Sequence, residues 1–215
     1  MNPDPVMRTD QTRCFDEGGR QVPCPGSGQD ADLRPGAAWP EPRFCLRHGA
    51  VIDRLSGLFW KQDAGEDAFP MSWSETRAFV EALNENEEAG RTDWRLPERR
   101  ELFSLISHTR INPCLPAGHP FSGVFPGYYW SATGCASADN QAWYIHFGGG
   151  RVYKGMKHAS YMVWPTAGPR YRPYRRDAEG GRFSIHGDTA TDRATGRMWA
   201  REPDLAKGPV SWTEA

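Results

Sequence analysis

The densest chemistry in this chain is a run of cations that contains no carboxylate. From Asn140 to Arg176 there is no Asp or Glu, while Arg151, Lys154, Lys157, Arg170, Arg172, Arg175 and Arg176 give a charge of +7. Tyr153, Tyr161, Trp164, Tyr171 and Tyr174 are interleaved with them. Guanidinium groups hold sulfate or phosphate through charge-assisted hydrogen bonds, and flat aromatic faces accept sugar rings or bases. A plainer reading puts the aromatics in the core and lets the cations balance acidic residues elsewhere, since the whole chain has a net charge of only −1. A nucleic-acid partner is not supported, because no nucleic-acid motif accompanies the charge.

Other chemistry is sparse. The five cysteines are Cys14, Cys24, Cys45, Cys114 and Cys135, an odd number, so at least one is free or pairs between chains. Cys14 and Cys24 bracket CFDEGGRQVPC, where Gly18 and Gly19 can turn the chain and close a small disulfide hairpin. Structural zinc needs close ligand pairs, and His108, Cys114 and His119 are too loosely spaced to supply them. The chain has no G-x-S-x-G elbow, no H-E-x-x-H and no phosphate-binding loop, so a binding role is expected rather than catalysis, with no metal or cofactor.

The elements that must position these residues are short. Nine Trp, 23 Gly and 18 Pro favour brief strands and turns packed around large rings. No apolar run is long enough to span a membrane, and MNPDPVMRTDQTR carries no signal-peptide core. In AVIDRLSGLFW, Asp53 can cap a turn and Gly57 can take a positive φ, which predicts a hairpin that delivers Trp60 on its second strand. Asp53 with Ser56 could imitate a calcium corner, but a turn-capping carboxylate is the commoner use.

SWSETRAFVEALNEN predicts a helix of about three turns, with Ser72 and Glu75 as a capping box after Ser72, next to Trp73, and with Phe79, Val80 and Leu83 as its buried stripe. Its exposed side carries Glu81, Glu85, Glu87 and Glu88, read as a solvated acidic face. In DWRLPERRELFSLI, Pro97 suits a helix start, Trp94 and Leu96 can pack over the first turn, and Arg95 can bond to a carboxylate or carbonyl. That stretch reads as a structural staple, against a ligand role for Arg95, Arg99 or Arg100. From Pro113 to Arg176, YYWSAT with Trp130, QAWYIHF with Trp143, GRVYKG and YMVWP with Trp164 predict an antiparallel sheet of four or five strands. Its QAWYIHF strand is expected to be central or buried on both faces. Together these predict an α+β domain.

The chain also repeats itself. Residues 43–75 align without a gap on 182–214 at an offset of 139, with identities at Arg43/Arg182, Phe44/Phe183, Asp53/Asp192, Arg54/Arg193, Gly57/Gly196, Trp60/Trp199, Pro70/Pro209, Ser72/Ser211, Trp73/Trp212 and Glu75/Glu214. A match of this length indicates internal duplication. The expected organisation is a Cys-containing leader at 1–42, a complete domain at 43–176, and a linker with the truncated start of a second repeat at 177–215.

IDRLSGLFW, SWSE, DWRLPERREL, YYWSAT, QAWYIHF and VWP together resemble the bacterial Lcl C-terminal domain family, over about residues 43–165 and again from 182. The leader CFDEGGRQVPCPGSGQD is similar to segments found ahead of such domains. The resemblance implies a C-type-lectin-like fold with two short helices and a small antiparallel sheet, in proteins that are usually exported to the periplasm or cell surface. Most members have no assigned function. Where a role is known, it is adhesion to sulfated glycans and extracellular matrix. The family commonly closes with VWPVR, whereas Thr166 and Ala167 follow Trp164-Pro165 here. The lectin calcium triplets EPN and QPD and the WND motif are absent, so calcium-dependent sugar binding is not implied. Formylglycine-generating enzymes share a segment similar to Arg95-Leu96-Pro97, but their copper-binding cysteine pair has no counterpart in Cys114 and Cys135. A structural or protein-interaction module is the competing class.

Overall fold

The structure, a computed structural model, describes residues 7–65, 69–170, 181–205, 207–211 and 214. By contact density the chain divides into two units: Thr9–Gln11 with Trp39–Pro169, and the remaining N-terminal residues with Arg170–Ala215.

The leader forms a small hairpin, β1 (Cys14–Phe15) and β2 (Gln21–Val22), whose turn is closed by the Gly19 N–H donating to the Asp16 carbonyl. Cys14 and Cys24 are joined by a disulfide, with their Cα atoms 5.2 Å apart. The Gln29 amide bonds to both backbone groups of Phe15 and ties on α1 (Asp30–Leu33).

In the larger unit, β3 (Phe44–Arg47), β4 (Ala50–Asp53) and β5 (Leu58–Lys61) form an antiparallel meander. Its second turn is built as the sequence predicts. Asp53 accepts from the Leu55 N–H at 3.1 Å and the Ser56 hydroxyl at 2.8 Å, while Gly57 takes φ +72°. The same carboxylate receives two 3.0 Å bonds from buried Arg43, so it is fully engaged as an ion-pair partner and turn cap. Trp60 follows on β5 and is wholly buried.

Helix α2 (Glu75–Glu85) begins later than a capping box on Ser72 would place it. The Ser72 N–H and hydroxyl both donate to the Glu75 carboxylate, which forms the carboxylate half of the expected box. Leu83 is buried, and Phe79 and Val80 pack with it against Trp94, Ala50 and Ala167.

Helix α3 (Arg99–Ser104) starts two residues after Pro97, because Glu98 caps it in a reciprocal box with Glu101. Glu101 also receives two 2.7 Å bonds from Arg95, and both partners are buried. Trp94 is held from three sides: Asn84 bonds to its N–H and its carbonyl, and its indole N–H donates to the Glu88 carbonyl at 2.8 Å. The WRLP segment is therefore structural; Pro97 contributes its carbonyl to the Ala132 N–H.

A second sheet follows: β6 (Tyr128–Gly134), β7 (Gln141–His146) and β8 (Arg151–Met156), antiparallel in that order. The expected fourth strand, YMVWP, does not join it along its length. Tyr161 and Met162 make only single bridges, and the chain then crosses to the first sheet, where β9 (Thr166–Ala167) pairs with β5. Pro165 has no N–H for a ladder, and Trp164 before it is fully buried as the hub of the core. Its ring lies 4.8 Å from Phe121, 5.3 Å from Phe147, 5.7 Å from Tyr129 and 5.8 Å from Trp60, and its N–H donates to the Lys61 carbonyl. Leu102 and Leu105, on and just after α3, complete this core at full burial. Each such apolar side chain contributes about 1.5–3 kcal/mol.

In the smaller unit, β10 (Phe183–His186), β11 (Thr189–Asp192) and β12 (Met198–Ala200) form another antiparallel meander. The repeat is preserved in its hydrogen bonds. Asp192 pairs with Arg182 at 2.9 and 2.7 Å and caps Ala194 and Thr195, as Asp53 does for Arg43, Leu55 and Ser56. Ser211 donates to Glu214 as Ser72 does to Glu75. Among the described residues, four small antiparallel sheets and three α-helices make an α+β fold.

Candidate functional site

Register decides what the second sheet presents. Tyr128 pairs with His146, Trp130 and Tyr153 flank Tyr144, Arg151 pairs with His146, and Gly155 pairs with Ala142. Because side chains alternate along a strand, these residues share one face. The opposite face carries Tyr129, Ile145 and Val152 into the core against α3. The QAWYIHF strand is the central strand of this sheet, one of the two placements expected for it, and Tyr144 and His146 are half-buried on the face away from α3.

One residue does cross that face. Tyr161, held by two backbone bonds to Met71, lies over Gly155, where a Cβ would come within 2.7 Å of its hydroxyl. Its ring centroid is 4.4 Å from Trp130, 5.0 Å from Tyr144 and 5.1 Å from Tyr128. Beyond it lies a groove of about 440 Å³ lined by Tyr128, Tyr144, His146, Arg151, Val152 and Tyr153. Tyr128 is 43% and Tyr153 62% exposed, so ring faces are accessible.

The electrostatics are one-sided. Arg151 is exposed, and none of the lining residues is a carboxylate. Burial, followed by the proximity of Tyr161, Tyr128 and Tyr153, raises the Tyr144 hydroxyl above its ordinary pKa. Burial and Tyr128 do the same to Tyr161. Both phenols therefore stay protonated and serve as neutral donors. His146 Nδ1 accepts from the Gly148 N–H at 3.1 Å. Cation, phenol donors and open ring faces together can hold an anionic group beside a flat ring.

The cations that the sequence placed together are dispersed. Arg151 lies in the groove. Lys154, three residues along β8, is on the opposite face, paired with Trp143 and bonded through Nζ to Ser137. Lys157 sits 4.5 Å over Trp73 and donates to the Asp139 carbonyl, clamping a loop. Trp73 itself donates to the Ser131 carbonyl, and Trp143 is covered by Arg99 at 4.4 Å. Arg170 is exposed in the smaller unit, and Arg172, Arg175 and Arg176 lie outside the described residues. The single acid-free surface is thus not what the described cations form. Tyr128, Tyr144 and His146 were not among the expected site residues; the alternation Tyr144, His146 was the available signal.

No group of His, Cys, Asp or Glu suited to a metal occurs among the described residues. His108 instead turns toward Asp10, Cys114 is buried, and His119 stacks on Phe121. Among the described residues no helix is long and apolar enough to cross a membrane.

A family model for the Lcl C-terminal domain matches residues 49–167, which span β4 through β9 and include the groove. The chain belongs to the Lcl C-terminal domain family. The match does not extend to the repeat at 182–214. No curated protein matches the chain.

Proposed function

We propose that this Lcl C-terminal domain is a non-enzymatic, C-type-lectin-like binding or adhesion module of an exported protein, and that it holds sulfated or otherwise anionic glycans in the tyrosine groove. The observation that carries this reading is the placement of Arg151 beside Tyr128, Tyr144 and Tyr153 on one open face without a carboxylate among them. Arg151 would take the anionic group through charge-assisted bonds, the phenols would donate to hydroxyl or sulfate oxygens, and the exposed rings would stack on the sugar. The competing reading is a structural or protein-interaction module.

A glycan array probed with the purified protein, with and without calcium, separates the two. The groove contains no carboxylate that would need calcium, so selective signals for sulfated chains should persist in chelator. Silence across the array would overturn the glycan reading and favour the structural one.

A further inference from the structure

The two meanders of this chain are built alike but finished differently. In the first, β5 has β4 on one side and β9 on the other: Phe59 pairs with Ala167, Trp60 with Thr166, and the Lys61 N–H donates to the Pro165 carbonyl at 3.2 Å. In the second, β12 pairs with β11, and among the described residues no strand lies on its other side. The bonding parity shows which groups face outward. The Asp192 N–H donates to the Arg197 carbonyl and the Arg201 N–H to the Asp188 carbonyl, so the odd positions of β12 are committed to β11. The backbone groups of Met198 and Ala200, equivalent to Phe59 and Lys61, point away from it.

The side chains repeat this contrast. Trp60 is fully buried, whereas Trp199 is 57% and Met198 67% exposed, with Phe183 and Ile185 also exposed on β10. A short sheet edge flanked by exposed apolar side chains is a template for strand addition. The occupant is indicated inside the molecule, because the first meander already carries it: an extended segment with the pattern Trp-Pro-Thr-Ala. There Trp164 packs on Trp60 and donates to the Lys61 carbonyl, while the Thr166 hydroxyl donates to the Phe59 carbonyl.

We propose that the outer edge of β12 is a strand-accepting site whose ligand is an extended peptide of the Trp-Pro-Thr-Ala type, bound antiparallel through the backbone of Met198 and Ala200 with its Trp against Trp199. This does not rest on the glycan reading of the groove. The ligand's Thr and Ala would stand opposite Trp199 and Met198, as Thr166 and Ala167 stand opposite Trp60 and Phe59.

The test uses the full chain and a synthetic peptide of residues 161–169, YMVWPTAGP, followed by amide hydrogen exchange. At saturating peptide, exchange at Met198 and Ala200 should slow by about tenfold or more, as expected when binding suppresses local opening. A peptide with Trp164→Ala should lose this protection, which probes the site without altering the protein. Ala200→Pro, which removes one outward N–H and leaves the bonds to β11, should abolish it too. Unchanged exchange at Met198 and Ala200, protection confined to other strands, or equal protection by the Trp164→Ala peptide would each overturn the proposal.

Discussion

Arg95 and Glu101 face each other through two 2.7 Å hydrogen bonds while both are almost wholly buried. The pair joins the segment that bridges to Thr166 with the first turn of α3, since Arg95 also exchanges both backbone bonds with Thr166. Glu101 additionally accepts from the Glu98 N–H. Removing one partner leaves the other as an uncompensated buried charge, which costs about 3–5 kcal/mol. Arg95→Ala and Glu101→Ala should each lower stability by that order in urea unfolding. The double variant should lose clearly less than the sum, because its two members share one interaction. Additive losses would show that the pair is not coupled.

The two equivalent tryptophans should respond differently to the same change. Trp60→Ala empties a fully buried site and should cost about 3–5 kcal/mol. Trp199→Ala removes a side chain that is 57% exposed and should cost under about 0.5 kcal/mol. Urea unfolding of the two variants compares them directly, and similar losses would contradict the contrast between the meanders.

Acid should weaken one specific tether. Burial raises the Asp10 carboxyl, but hydrogen bonds from His108, Ser107 and Thr109 outweigh it and hold the group at about 2 against an ordinary 3.8. A folded-state value below the unfolded one means stability that is fully present above the unfolded value and lost as pH falls toward the folded one. Wild type should therefore lose stability between pH 3.8 and about 2. Asp10→Asn should be less stable at neutral pH and lose less over that window. Parallel curves for the two proteins would remove Asp10 from the account.

The disulfide gives a covalent test. Non-reducing peptide mapping of protein made under oxidising conditions should find Cys14 linked to Cys24, with Cys45, Cys114 and Cys135 as thiols. Linkage of Cys14 or Cys24 to any other cysteine would refute the pairing.

What could be read from the sequence was local. The Asp53–Gly57 turn, the apolar stripe of α2, and the staple role of Trp94-Arg95-Leu96-Pro97 depend on residues a few positions apart, and each formed within two or three residues of its expected place. What could not be read was non-local. Nothing near Trp164 indicates that the chain leaves the second sheet to pair with β5, a contact across more than 100 residues. The site suffered from the same blindness. A run of cations close in sequence looked like one surface, yet strand alternation sends Arg151 and Lys154 to opposite faces, and Lys157 is spent on Trp73. The groove instead assembles tyrosines from three strands, whose openness depends on what fails to cover them.

The central claim, that Arg151 and the tyrosines form an anion-recognising groove, is tested most directly on a heparin column by comparing Arg151→Ala with Lys154→Ala. Both remove one positive charge from β8, but only Arg151 lines the groove. Wild type should be retained at low salt and elute as salt rises, since charge attraction is screened beyond about 8 Å at 0.15 M ionic strength. Arg151→Ala, and likewise Tyr153→Ala, should elute at clearly lower salt, while Lys154→Ala stays near wild type. Wild type passing through at low salt, or equal losses for Arg151→Ala and Lys154→Ala, would contradict the groove as the binding site.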